Sequence, residues 1–332
     1  MASQLRPARG RRAWLAGMLA VAAATAVSPG AKAETWPSRP IQLLIPYPPG
    51  GSADLLARPV AAKLQERLGQ PVVLEYRPGA GGTIASQALA RAKPDGYTLI
   101  MVLAAHAINA SLYPKLPYDT RKDFAPVSLV ANLPMILAGS PSLQATNVRE
   151  LIEQARAAPG KLTFASAGNG NTGHLAGELF DAVAGIKMTH VPYKGSAQVV
   201  TAMLSGEVQL TFDSISTTLP HVKSGKLRAL AVTSGQRAAV APDVPTLAEA
   251  GVPGISITGW YAVLAPAGTP QPVIDRLSTE IATVLRQPEL KATLAGNGYE
   301  PVGSTPAALR THIDAEINRW SKVVKESGAQ IQ

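Results

Sequence analysis

Residues 41–102 read IQLLIPYPPGGSADLLARPVAAKLQERLGQPVVLEYRPGAGGTIASQALARAKPDGYTLIMV. Two patterns alternate along this stretch. Ile41–Pro46 is a short apolar run of β type. Leu56, Val60, Leu64 and Leu68 recur every four residues, the spacing of one helix face, and Gly69 stands where that helix would end. Residues 71–75 again read as strand and 82–92 as helix. Pro94-Asp95-Gly96 is a turn feeding a strand at 97–102. A β-α-β-α-β order predicts an α/β fold, with a parallel sheet flanked by helices.

The rest of the chain continues in this style. Helices are expected over 148–158, 174–183, 197–204, about 270–286 and 306–326. Strands are expected over 162–165, 189–191, 209–212, 227–233 and 258–264. The length exceeds that of a typical single core, so two domains are expected. Asn132-Leu133-Pro134 sits between two apolar runs and reads as one hinge, with a return crossing between Val232 and Trp260.

The first 33 residues differ from everything after them. Arg6, Arg9, Arg11 and Arg12 precede an apolar run from Ala13 to Val27, and Ala31-Lys32-Ala33 forms an A-x-A cleavage site. This is the layout of a secretory signal. The run falls short of the ~20 residues needed to span a membrane. Removing residues 1–33 leaves 26 basic and 22 acidic residues, so the net charge of +9 falls to +4. No basic block remains that would mark a nucleic-acid footprint. The chain has no cysteine, which excludes thiol nucleophiles, Cys-ligated zinc and a lipid anchor at the cleavage site. A free periplasmic protein is expected.

Three loops share one design: an apolar strand, then Gly and small polar residues, then a helix. The first runs from Pro46 to Asp54 and includes Tyr47, Pro49, Gly50, Gly51 and Ser52. The second, from Pro78, includes Gly81, Gly82 and Thr83. The third includes Ser166, Gly168, Asn171, Thr172 and His174. A helix start leaves unpaired N–H groups and a partial positive charge, so such loops hold anions without any arginine. One such loop merely turns the chain. Three of them, beyond the carboxyl ends of strands in two domains, define a binding cleft.

Other chemistries fit less well. Gly168-Asn169-Gly170-Asn171-Thr172-Gly173 matches G-x-G-x-x-G, but the strand that follows offers no ribose-binding acid. Ser166 lacks the first glycine of a nucleophile elbow. A serine hydrolase nevertheless stands as the enzyme alternative, with His174, His190 and Asp213 as candidate partners. None of the five histidines has metal-ligand spacing, so neither metal nor cofactor is expected. His106, after the third strand, could face the cleft. Asp213, at a strand end, either faces the cleft or caps the next helix.

At these loops the sequence resembles the tripartite tricarboxylate transporter receptors, also called Bug proteins. The resemblance covers essentially the whole chain after the leader. Its marks are 46–54 (PYPPGGSAD), 77–82 (RPGAGG), 93–99 (KPDGYTL), 123–127 (DFAPV), 173–180 (GHLAGELF), 191–195 (VPYKG), 243–246 (DVPT) and 265–270 (APAGTP). The resemblance implies a type II periplasmic binding protein fold, with two Rossmann-like lobes closing on a ligand. Lobe boundaries of 34–131 with 246–332, and 132–245, would follow. It also implies that residues 47–52 and 81–83 hold a ligand carboxylate, partly through water. Residues 166–174 and Asp213 would contribute from the second lobe. The ligand would be a small mono- or dicarboxylate, aromatic or amino-acid-like acids included. Delivery would be to a membrane permease with large and small subunits, and some members report to a sensor kinase. A monomer is expected. Two departures stand out: Pro59 falls inside the first helix, where a kink is expected, and Ala104-Ala105-His106 offers little polarity before the histidine.

Overall fold

The computed structural model describes residues 1–4 and 36–327. Residues 5–33 of the expected leader, with the cleavage point after Ala33, lie outside the described residues. From Arg39 onward the chain forms one compact unit.

In chain order the elements are β1 (Ile41–Ile45), α1 (Ser52–Leu68), β2 (Val72–Tyr76), α2 (Thr83–Ala90), β3 (Thr98–Leu103), α3 (Ala105–Leu112), β4 (Phe124–Gly139), α4 (Val148–Ala157), β5 (Thr163–Ser166), α5 (Thr172–Ala184) and β6 (Thr189–Pro192). Then come α6 (Ser196–Ser205), β7 (Leu210–Ser214), α7 (Ile215–Lys223), β8 (Arg228–Val232), β9 (Thr258–Pro266), α8 (Gln271–Leu285), α9 (Pro288–Gly296), β10 (Glu300–Pro301) and α10 (Pro306–Ser327). A short 3-10 turn at Ala80–Gly82 leads into α2.

The periodic residues of α1 behave as their spacing requires. Leu56, Val60, Leu64 and Leu68 are all buried, and Gly69 closes the helix in the left-handed conformation with φ 70°. Replacing Leu64 by Ala would cost roughly 2–5 kcal/mol, the usual range for a filled core site. The expected kink at Pro59 does not break the element: α1 is one helix from Ser52 to Leu68.

The strands form one mixed sheet in the order β2-β1-β3-β9-β4-β7-β5-β6, with β8 and β10 also pairing β4. β1 is parallel to β2 and β3, and β5 is parallel to β6 and β7. The sheet is therefore not wholly parallel, as the repeated βα pattern predicts. Two antiparallel strands, β4 and β9, join two βαβ halves into a two-lobed α/β fold.

Residues 132–134, where one hinge is expected, are in regular strand. They lie inside β4, a single 16-residue strand. Up to Pro134 the strand pairs with β9; from Met135 it pairs with β7 and from Ile136 with β8. Pro134 has no N–H to contribute and sits where the partners change. On the return path, Val232 pairs with Thr246 before the chain enters β9. Helices α3, α7 and α9 are additions to the predicted elements. Their sequences, such as AHAINASL in α3, carry no clear apolar period.

Candidate functional site

Between the two halves lies a cavity with no charged side chain in its wall. Its walls are largely helix starts. Gly51, Ser52 and Ala53 open α1, Ala104 precedes α3, Asn171 and Thr172 begin α5, Ser196 begins α6, and Ser214 precedes α7. Five helices thus turn their positive ends toward one space. In α1, α3, α6 and α7 the capping residue makes no side-chain bond to the first turn. Backbone N–H groups there remain available for a ligand. In α5, Asn171 Oδ1 accepts from Gly173 N at 2.7 Å, which leaves the amide nitrogen of Asn171 as a donor.

Ser52 is the hub of this wall. Its Oγ accepts from the Tyr261 hydroxyl at 2.7 Å and from Ser214 Oγ at 3.1 Å. With both lone pairs engaged, its own O–H is left to donate. Tyr299 donates to the Ser52 carbonyl at 2.6 Å, fixing the backbone beneath it. Burial raises the pKa of both Tyr261 and Tyr299, so they remain neutral donors. Trp260 forms a further wall. Its indole N–H donates to buried Glu316 at 2.8 Å, as does that of Trp320 at 3.0 Å.

Tyr47 borders three spaces: this inner cavity, a small chamber beneath the second glycine loop, and a larger outer cavity. Its hydroxyl lies buried beside Asn171 without a well-formed hydrogen bond, and burial pushes its pKa up to about 12. Gly81 and Gly82 line the small chamber and the outer cavity rather than the inner one. His106 lines the small chamber, with Nδ1 3.3 Å from Ser86 Oγ. Burial lowers its pKa to about 4 and keeps it neutral. Gly168 lines the outer cavity.

Of the predicted site residues, Pro49, Gly50, Thr83, Ser166, His174 and Asp213 border none of these spaces. Pro49 and Gly50 are exposed, and Gly50 N donates to Asp54 Oδ2 at 2.8 Å, which shapes the turn. Thr83 Oγ1 donates to the Ala80 carbonyl at 2.9 Å. Asp213 lies one layer behind the wall. Its Oδ1 accepts from Ser196 Oγ at 2.8 Å, so it acts on the cavity through Ser196, and burial raises its pKa to about 6. Ser166 is fully buried, with Oγ 2.7 Å from His190 Nε2. His190 stacks on His174 at 4.1 Å, and Gly170 N donates to His174 Nδ1 at 3.3 Å. Burial lowers the pKa of His174 to about 4 and that of His190, with His174 adding to the effect, to about 3. This arrangement braces the third loop from behind. A nucleophile needs open access, and Ser166 has none.

The seam between the halves is closed by glycines. A Cβ on Gly81 would lie 2.8 Å from the Asn169 carbonyl, one on Gly170 2.8 Å from Asn109 Oδ1, and one on Gly195 3.1 Å from Pro48 Cδ. Sequence reading reaches the three loops, His106 and Asp213. It misses Ser196, Ser214, Met135, Gly259, Trp260 and Tyr261 in the inner wall. Gly195-Ser196 after β6 repeats the strand–glycine–helix pattern and carries a signal. The others come from β4, β7 and β9, where sequence gives none.

A two-lobed α/β protein whose inner cleft cavity is donor-rich and free of charged side chains is a solute-binding protein. Residues 56–329 match the tripartite tricarboxylate transporter family receptor model, and the chain belongs to that family of periplasmic receptors. It is 41% identical to BugT of Bordetella pertussis over 90% of this chain and 93% of that protein. A Rhodopseudomonas palustris protein, Rpa4515, solved with adipate, superposes with a TM-score of 0.86. It shares 40% identity over 89% of this chain and 100% of that one. MatC of the same organism, solved with bound malate, gives a TM-score of 0.83 at 32% identity over 87% and 100% of the two chains. The family consists of solute-binding receptors rather than enzymes. Among the described residues no helix is long and apolar enough to cross a membrane, and no cluster of His, Cys, Asp and Glu could hold a metal ion.

Proposed function

We propose that this chain captures a small organic carboxylate in the periplasm and presents it to the membrane subunits of a tripartite transporter, as a monomer and without catalysis. The convergence of five helix starts on a cavity with no charged side chain carries this reading. A carboxylate there meets aligned N–H groups and the Ser52 hydroxyl, each a neutral donor that needs little reorganisation. Tyr47, Gly51, Ser52, Asn171 and Thr172 touch the ligand in this proposal, and Asp213 positions Ser196. Adipate and malate in the related structures support the same ligand class. The lobes comprise residues 34–131 with 246–332, and 132–245. They hinge where β4 changes partners and between β8 and β9.

Calorimetric titration of the purified chain from residue 34 onward tests the reading, with a panel of mono- and dicarboxylates, a neutral sugar and a cationic amine. Saturable binding of at least one carboxylate is expected. Binding of the sugar or amine with no carboxylate response would overturn it.

A further inference from the structure

The two main spaces of the cleft differ in size and charge. The inner cavity, at about 30 Å³, has room for roughly two or three waters, enough for a carboxylate head and little more. The outer cavity is about 620 Å³ and shares Tyr47 and Ala167 with it. A ligand whose head fills the inner site must extend its remainder past Tyr47 into this outer space.

The outer walls are largely apolar, with Pro78 and Tyr113 on one side and Pro192 and Tyr193 on the other. Among the described residues, Lys194 is the single charged side chain lining any of the three cleft spaces. It is exposed, and no ion pair among the described residues engages it. Its neighbour Tyr193 donates its hydroxyl to Glu207 Oε1 at 3.0 Å, and Glu207 forms no ion pair with Lys194. A largely apolar space with an exposed lysine in its lining suits a spacer followed by a second negative charge.

Building on the carboxylate reading, we propose that the outer cavity is a second subsite in which Lys194 receives the distal anionic group of a linear ligand. The preferred ligand class is then a carboxylate with a short apolar spacer and a second acidic terminus. Lys194 selects it over the matching monoacid.

Adipate and hexanoate share a six-carbon chain and differ only in the distal acid, so the pair isolates Lys194. Titration of wild type, Lys194→Gln and Lys194→Glu with both ligands, with melting curves of each protein, makes the test. Lys194→Gln should weaken adipate about fivefold, the upper end for an ion pair that water still reaches, and leave hexanoate unchanged. Lys194→Glu should weaken adipate further. Melting without ligand should not move. Equal effects on both ligands, or none on either, would overturn the subsite. So would an adipate loss confined to the association rate and abolished by salt, because that is steering. Wild type that binds neither acid would instead overturn the carboxylate reading on which the subsite rests.

Discussion

If the lobes close on ligand as proposed, the seam glycines must permit it, and Gly195→Ala probes that expectation without disturbing the backbone. Gly195 has φ 170° and ψ 167°, extended values open to any residue. The new methyl would meet only Pro48 across the seam, at 3.1 Å from Cδ. Carbon atoms rest at about 3.5–4.0 Å, so one side must give by about half an ångström. Overpacking of this kind costs roughly 1–3 kcal/mol. Pro48 is half-buried at the edge of a loop and can yield, which places the cost near about 1 kcal/mol. Only the closed arrangement bears that cost. Affinity for the carboxylate should fall about fivefold, and melting of the ligand-free protein should hold. Calorimetry gives the first quantity, a thermal melt the second, and small-angle scattering reports whether ligand still compacts the chain. If ligand-free melting falls as far as the affinity, the contact belongs to the resting fold and the reasoning fails. Unchanged affinity would refute it equally. Gly173→Ala is the contrast: its Cβ would lie 2.0 Å from the Phe212 carbonyl within one half, and folding itself should fail.

Further outcomes follow from the same geometry. Ser52→Ala removes the acceptor of two hydroxyls and the outward donor, so carboxylate affinity should drop at least tenfold, about 1.4 kcal/mol; equal binding in a titration would exclude Ser52 from the site. Glu316→Ala strands two indole N–H groups and should cost about 2–4 kcal/mol in urea unfolding, whereas Glu316→Gln keeps an acceptor and should cost much less. Equal losses would refute the pairing. His174 and His190 are held neutral in the fold, with pKa values lowered to about 4 and about 3. The unfolded chain therefore binds more protons below about pH 6.5, and these groups withdraw stability as pH falls toward 4. His190→Gln should flatten that decline relative to wild type, and parallel pH curves would refute it. Ser166→Ala should leave an ester assay at background, as wild type should also be; turnover that depends on Ser166 would revive the hydrolase reading.

The sequence alone determined the local elements and the class of chemistry. The four-residue period of α1 requires one buried face wherever the helix packs, and Gly69 ends the helix by its own conformational freedom. The glycine loops between strands and helices announced anion-binding helix starts for the same local reason, and the order of motifs named the family. The tertiary structure decided what those loops build. Pro134 looks like a break because its missing N–H is visible in sequence, whereas the change of strand partners around it depends on residues about 80 to 120 positions away. The inner wall takes Ser196, Ser214, Trp260 and Tyr261 from segments with no mutual periodicity, so no local signal unites them. Asp213, at a strand end, reads either as a cleft residue or as a cap of the next helix, and only packing shows Ser196 standing before it. Local spacing fixes which face of an element is buried. Which faces meet, and what lies between them, follows from contacts distant in sequence.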